Sequence, residues 1–375
     1  MRTQQQTAST VIDWLREGRR VAAGLLASVD GSAPLDVGAS VYIDEHGHVE
    51  GSITGGCVES AVAQEALDVI ETGGAPRLQT YGISDELAGT VGLMCGGIVH
   101  VFVHELRDEA RDVTIAALEA VLEERPAAVA TLLDGEHAGR KLFVDPETRT
   151  GSLGGPSLLE SNVEREARGL LRHGRSTIRE FGEDGTTLGS GLRVHVTAYA
   201  EPARMIIFGA IDFASALAPL AKGVGYRVTI ADPRKAFLSS ARFSTYSDTV
   251  AAWPDEALEG VSLGPRDAVL VFSHDPKLDA PALMAAFKTQ AGYIGALGSR
   301  KTTADREVRL RDAGATDEDL ARLYAPCGLD IGASTVEETA IAVLAEIVAT
   351  RAGRSGVPLR EAEGSIRRDP EDVAV

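Results

Sequence analysis

RMIIFGAIDFASALAPLAKGVGYRVTIAD, residues 204–232, sets out an apolar run, a glycine turn, a helix-forming stretch and a second apolar run that closes on an acidic residue. This is the layout of a mononucleotide-binding unit, in which a buried strand feeds a helix that returns to a parallel neighbour. Further strand and helix patterns follow at 268–273, 281–288, 292–297 and 302–313. Such alternation predicts a parallel sheet covered on both faces, so the second half, 203–352, reads as a Rossmann-like domain. Its last element is an apolar helix over 335–350, opened by a capping box of Thr335 and Glu338. The Arg-, Glu-, Asp- and Gly-rich stretch 353–375 is expected to be a mobile tail.

The turn Gly209-Ala210-Ile211-Asp212 departs from a dinucleotide fingerprint. Ile211 stands where a second glycine would let a pyrophosphate approach. Asp212, expected as the helix N-cap, would take N–H groups that otherwise bind phosphate and would add a negative charge. Asp232 is placed to accept from a ribose 2′-OH, and Arg234 beside it to meet a 2′-phosphate. NAD or NADP therefore suits the outline of Gly209 and Asp232 and is disfavoured by Ile211 and Asp212. Three more loops lie where strands of such a sheet end. Ser273-His274-Asp275-Pro276 brings an imidazole beside a carboxylate, and Gly298-Ser299-Arg300-Lys301 brings backbone N–H groups and two cations, a combination that suits an anion. The loop 325–334 holds Cys327, expected to be packed.

The first half, 1–200, reads as an α+β domain, with the boundary at Glu201 and Pro202. Helices are expected at 11–19, 112–124 and 162–171, and strands at 21–29, 127–133, 140–144 and 193–199. A hairpin of 40–43 and 48–53 leads into GSITGGCVES, 51–60, where Gly55 and Gly56 permit close backbone approach and Cys57 falls near the start of a helix. Unpaired N–H groups and the helix dipole there would favour a thiolate, hence a nucleophile or soft ligand. A second glycine-cysteine element, GLMCGG at 92–97, holds Cys95, Gly96 and Gly97. The strand after it alternates Val99, Val101 and Val103 with His100, Phe102 and His104, so the two histidines are expected on the other, open face, solvated or hydrogen-bonded to neighbours. No internal repeat is evident.

Composition narrows the function. The chain of 375 residues carries a formal net charge of −18, which argues against a nucleic-acid face and against an acidic membrane surface. No apolar run approaches the ~20 residues of a membrane helix, and the polar start MRTQQQTAST lacks a signal-peptide pattern, so a cytoplasmic protein is expected. Three cysteines, far apart, make neither a disulfide framework nor a paired zinc site.

Taken together, the motifs GSITGGCVES (51–60), LMCGG (93–97), SHDPKLD (273–279), YIGALGSRK (293–301) and GLDIGASTVEETAIAVLAEI (328–347) resemble the xanthine dehydrogenase accessory family, XdhC/CoxI, over nearly the whole chain. The resemblance implies an accessory or maturation factor that binds the molybdenum cofactor (molybdopterin), protects it during sulfuration by a cysteine desulfurase and delivers it to an apo-molybdoenzyme of the xanthine dehydrogenase or carbon monoxide dehydrogenase type. A homodimer is compatible with it. Two departures stand out: relatives commonly read Gly-Ala-Gly-His where this chain has Gly209, Ala210, Ile211 and Asp212, and Cys327 stands where an aliphatic residue is usual. The chain lacks the iron-sulfur cysteine clusters of the oxidase itself.

An anionic pterin phosphate that carries molybdenum on dithiolene sulfurs needs soft groups at one end and phosphate donors at the other. Cys57 and Cys95, framed by Gly55, Gly56, Gly96 and Gly97, suit the metal end or a transient persulfide, and Gly298, Ser299, Arg300 and Lys301 suit the phosphate. A nucleotide-dependent oxidoreductase built on Gly209, Asp232 and His274 as acid or base is the competing expectation. A non-catalytic scaffold for a molybdoenzyme is the third.

Overall fold

In the computed structural model, which describes residues 2–31, 33–82, 97–273 and 275–363, strand β1 (Val21–Asp30) is the centre of a five-stranded antiparallel sheet. Helix α1 (Arg2–Arg16) precedes it, and its start lies before the expected one because the apolar stripe opens only at Ala8. The strands β2 (Ser40–Asp44) and β3 (Val49–Gly51) come next, then α2 (Glu59–Thr72), β4 (Arg77–Tyr81) and β5 (Ile98–Glu105), giving the order β3-β2-β1-β5-β4. The period of two sorts the side chains. Ala22, Leu26, Val99, Val101 and Val103 pack with Val62, Ala66 and Val69 of α2, while Leu25, Ala27 and Phe102 take the other face.

The same succession then recurs: α3 (Asp108–Leu122), β6 (Ala127–Leu132), β7 (Lys141–Val144), β8 (Arg149–Gly151), α4 (Ser157–His173), β9 (Thr177–Gly182) and β10 (Gly191–Tyr199), in the order β8-β7-β6-β10-β9. Individual hydrogen bonds repeat as well. Gly38 N donates to Leu26 O and Leu26 N to Ala39 O; Gly139 N donates to Leu132 O and Leu132 N to Arg140 O. Asp44 accepts from the N–H groups of His46 and His48, and Asp145 from those of Glu147 and Thr148. Both α2 and α4 end on a left-handed glycine, Gly73 and Gly174. The chain therefore does contain an internal repeat, contrary to expectation. It escaped notice because the copies share backbone demands more than side chains: one short trace survives, GSITGGCVES at 51–60 against GSLGGPSLLES at 151–161.

The two copies pack reciprocally. A Cβ on Gly38 would stand 2.7 Å from Ser176 Oγ and 3.3 Å from Thr197, just before and within the later strands of the second copy; one on Gly139 would stand 3.1 Å from Pro76 and 3.7 Å from His104 of the first. Leu26 pairs with Val101 and Leu132 with Val194, so counting three residues on makes His104 and Thr197 equivalent positions. This is the contact pattern of a two-fold, self-complementary interface within one chain. It also corrects the expectation for one strand histidine, His104, while His100 is hydrogen-bonded to neighbours as expected. His104 is fully buried because the second copy covers its face, whereas half-buried His100 lies between Thr80 and Asp30.

The second unit, Pro202–Ala362, holds the expected parallel sheet. Its elements are β11 (Ala203–Phe208), α5 (Asp212–Gly223), β12 (Tyr226–Ala231), α6 (Lys235–Leu238), α7 (Ala241–Ser244), β13 (Asp248–Val250), α8 (Pro254–Leu258), β14 (Ala268–Val271), α9 (Pro276–Phe287), β15 (Tyr293–Ala296), α10 (Arg300–Asp312), α11 (Asp317–Ala321), β16 (Leu323–Tyr324) and α12 (Val336–Ala352). The strand order β13-β12-β11-β14-β15-β16 reverses between β11 and β14, the switch point of a Rossmann sheet. Met205, Ile207, Val228 and Leu270 face α5 and α12, and Ile206, Phe208, Val269 and Val271 face α8, α9 and α10. After α12 a short 3-10 turn spans Leu359–Glu361; of the stretch expected as a tail, 364–375 lies outside the described residues.

Candidate functional site

The loop from Gly51 to α2 is folded around one carboxylate. Glu59, the first helical residue, accepts from Ser52 Oγ (2.6 Å), Thr54 Oγ1 (2.8 Å) and the backbone N–H groups of Ile53, Thr54, Gly56 and Val58. Burial raises the pKa of this carboxyl, but the bonds from Ser52, Thr54 and Ile53 outweigh it and hold it down at about 2. Cys57 precedes the helix by two positions and is a half-buried free thiol packed against the core that contains Val58 and Val62. Val58 N, at the N-cap of the helix, donates to the Glu59 carboxylate.

A carboxyl held below its ordinary 4.5 stabilises the folded state above that pH and loses the effect as pH falls toward about 2. Glu59→Gln is expected to lower unfolding free energy by about 1–3 kcal/mol at neutral pH, since charged hydrogen bonds are lost. The gap between variant and parent should close on acidification, as measured by urea titrations at several pH values; a constant gap would mean that the charge is not what the loop uses.

The duplicate supplies an internal comparison. Glu160 accepts from Ser152 Oγ at 2.6 Å, and Gly154 N donates to Ser152 Oγ as Gly55 N does to Ser52 Oγ. The surroundings differ. A Cβ on Gly154 would meet His137 at 2.8 Å and Arg140 at 2.9 Å, and one on Gly155 would meet Leu159 at 2.8 Å, whereas at Gly55 and Gly56 nothing lies within 4 Å among the described residues. One glycine pair is covered and lacks a thiol; the other is open and carries Cys57. Cys95 and Gly96 lie outside the described residues, and Gly97 is buried next to Gly31.

In the second unit, Gly209 adopts φ +112°, where a Cβ would stand 3.0 Å from Ser273 N, so this turn requires glycine. Asp212 is not the N-cap of α5: Ile211 holds that position and the Asp212 carboxylate pairs with Arg242, leaving the helix without a side-chain cap. Asp232 is fully buried and accepts from Ala210 N at 3.0 Å and from Arg234 Nε and Nη2 at 2.9 and 2.8 Å. Burial raises its pKa, and the bonds from Arg234 and Ala210 bring it below the usual carboxylate range. The groups expected at a ribose thus satisfy each other. His274 lies outside the described residues. Cys327 is buried, its thiol pushed up to about 12 by burial and by Glu346.

At the end of β15, Ser299 caps α10 by accepting from Thr302 N at 3.1 Å, and Arg300 and Lys301 are exposed, with no ion pair among the described residues. Beneath the loop lies a residue that composition did not flag. Arg306 is fully buried, its Nε donates to both oxygens of buried Asp279 at 2.9 and 3.0 Å, and its Nη2 to Leu297 O at 2.7 Å. Its Nη1 has no partner among the described residues and would stand 3.5 Å from a Cβ on Gly298. α10 is polar almost throughout, so no apolar stripe marked Arg306 and Leu310 as its inner face. The recurrence of Ser and Glu around both glycine pairs was the signal that could have found Glu59.

Fold and loops together describe a two-unit α/β protein in which a duplicated antiparallel unit carries a thiol loop and a Rossmann-like sheet follows in the chain. Family models place it further: XdhC and CoxI family matches residues 14–82 and 120–182, one stretch on each copy of the repeat, and XdhC Rossmann domain matches 205–347. These matches cover more than half of the chain, which belongs to the XdhC and CoxI family. It is 28% identical over 346 residues to a probable xanthine dehydrogenase subunit of Bacillus subtilis (strain 168), covering 91% of this chain and 97% of that protein. It is 26% identical to the molybdenum cofactor insertion chaperone PaoD of Escherichia coli (strain K12), covering 91% of this chain and 86% of PaoD. In fold it is similar to a crystal structure of a protein named xanthine dehydrogenase from Bacillus halodurans, with TM-score 0.65, 23% identity and coverage of 92% and 96%. Among the described residues no helix is long and apolar enough to cross a membrane.

Proposed function

We propose that the protein is a maturation factor that binds the molybdenum cofactor and inserts it into an apo-molybdoenzyme of the xanthine dehydrogenase or carbon monoxide dehydrogenase type. The observation that carries this reading is the asymmetry of the duplicate: of two equivalent glycine loops, the one left open among the described residues bears the thiol. The name of PaoD supports the cargo. In this reading Cys57 acts with Cys95 on the molybdenum end or receives sulfur from a cysteine desulfurase, and Gly55, Gly56, Gly96 and Gly97 keep the backbone close to the ligand. The second unit offers a phosphate loop of its own at Gly298, Ser299, Arg300 and Lys301, above the unpaired Nη1 of Arg306.

The full chain, mixed with molybdenum cofactor and separated by gel filtration, is expected to retain it. Cys57→Ala with Cys95→Ala should reduce retention about tenfold or more, the loss of roughly 1.4 kcal/mol or more of binding. Unchanged retention in the double variant would take the thiols out of the mechanism.

A further inference from the structure

The two copies of the repeat enclose a cavity of about 20 Å³ that the thiol loop does not use. Its wall is built from equivalent positions, Leu25 with Thr131, Ser40 with Lys141, and His104 with Thr197, so it sits on the pseudo-two-fold axis. Lys141 is 8% exposed and its Nζ donates to Thr131 Oγ1 at 3.2 Å; it has no ion pair among the described residues. His104 is 0% exposed and neither ring nitrogen has a partner there. Tyr42 and Tyr199, whose hydroxyls bond each other, line the same space, and among the described residues no carboxylate does.

Burial alone pushes the Lys141 ammonium down to about 8, still largely charged at neutral pH. Burial, and then the charge of Lys141, hold His104 well below its ordinary pKa, so its ring is neutral and offers one N–H and one acceptor. A lysine met among the described residues only by neutral hydroxyls and a neutral imidazole lacks the opposite charge that buried charges ordinarily have. The volume exceeds the ~10–15 Å³ that one water centre needs, and it admits a single monatomic species while excluding a phosphate or a carboxylate. A water would fill the space but leave the ammonium uncompensated. An anion would accept from Lys141, the His104 N–H and Thr131 Oγ1, while Ser40 and Thr114 already donate to Gly38 O and Ala110 O.

We propose that this axial cavity is a binding site for one small monovalent anion of halide size, held between the duplicated halves by Lys141, His104 and Thr131. Such an anion joins the two copies and stabilises their interface.

The test compares thermal unfolding of the full chain in chloride and in gluconate, too large to enter, at equal ionic strength. With chloride several-fold above its Kd the midpoint should be higher by about 2–4 °C. Crystals soaked in bromide should show an anomalous peak within hydrogen-bonding reach of Lys141 and His104. Lys141→Met, if folded, should abolish the chloride effect. The proposal is overturned by the absence of a bromide peak in the parent protein, which would leave the cavity to water, or by a chloride effect of full size in a folded Lys141→Met. Where that variant does not fold, the bromide peak in the parent decides.

Discussion

Asp279→Asn is expected to destabilise the second unit by about 3–5 kcal/mol, the cost of leaving a buried charge without its partner. The pair is out of solvent on both sides, Arg306 at 0% and Asp279 at 2% exposure, and both Asp279 oxygens are used. Asparagine keeps the shape but removes the charge, so the buried guanidinium would face only neutral acceptors, the amide oxygen and Leu297 O. Desolvation and attraction nearly cancel in an intact buried pair, so replacing both members should cost far less. Asp279→Leu with Arg306→Met is therefore expected to recover all but roughly 1–3 kcal/mol, the remainder being the Leu297 carbonyl left without a donor and Arg309 left without its 3.3 Å contact to Asp279. Urea titration, with hydrogen exchange of β15 and α10 to assign the transition, measures both variants. A single-variant cost below about 1 kcal/mol would mean that water reaches the pair, and the unpaired Nη1 would then no longer count toward an anion site.

What sequence made legible follows from which features are local. The run Ala268–Val271 is buried throughout, and a short apolar segment between helices announces a parallel strand without further help. Thr335 and Glu338 form the expected capping box, because its geometry involves only neighbours in the chain. Asp212 lies one position inside the helix, not at its cap, and Arg242 from α7 takes its carboxylate, a tertiary contact. The burial of His104 has a larger cause. Alternation correctly separates its face from that of Val103, but whether the face meets water depends on a second copy of the same fold, invisible while equivalent positions hold Ser and Lys, or His and Thr. Glu59 shows the same limit at the site. The glycines and Cys57 are conspicuous by type, whereas the carboxylate that organises their backbone is one glutamate among many until its six hydrogen bonds are seen.

Gly51→Ala and Gly151→Ala should each destabilise the first unit by about 2–5 kcal/mol, and for the same reason in both copies. Gly51 has φ +86° and Gly151 φ +88°, where an L side chain costs about 1–2 kcal/mol. A new Cβ would also lie 2.4 Å from Ser40 O in one case and 2.6 Å from Lys141 O in the other, closer than atoms tolerate, and relief requires the strand backbone to move at a further cost of about 1–3 kcal/mol. Gly151 additionally meets Val113 at 2.6 Å, so its variant should be the weaker of the two. Gly55→Ala is the control. Its φ is +76° but its Cβ would meet nothing within 4 Å among the described residues, so only the backbone strain of about 1–2 kcal/mol applies. Denaturation midpoints in urea should rank the parent first, Gly55→Ala next, then Gly51→Ala and Gly151→Ala close together. If Gly151→Ala fell with the control instead, the tight turn after β8 would not be the counterpart of the one after β3, and the comparison of an open thiol loop with its covered twin would lose its footing.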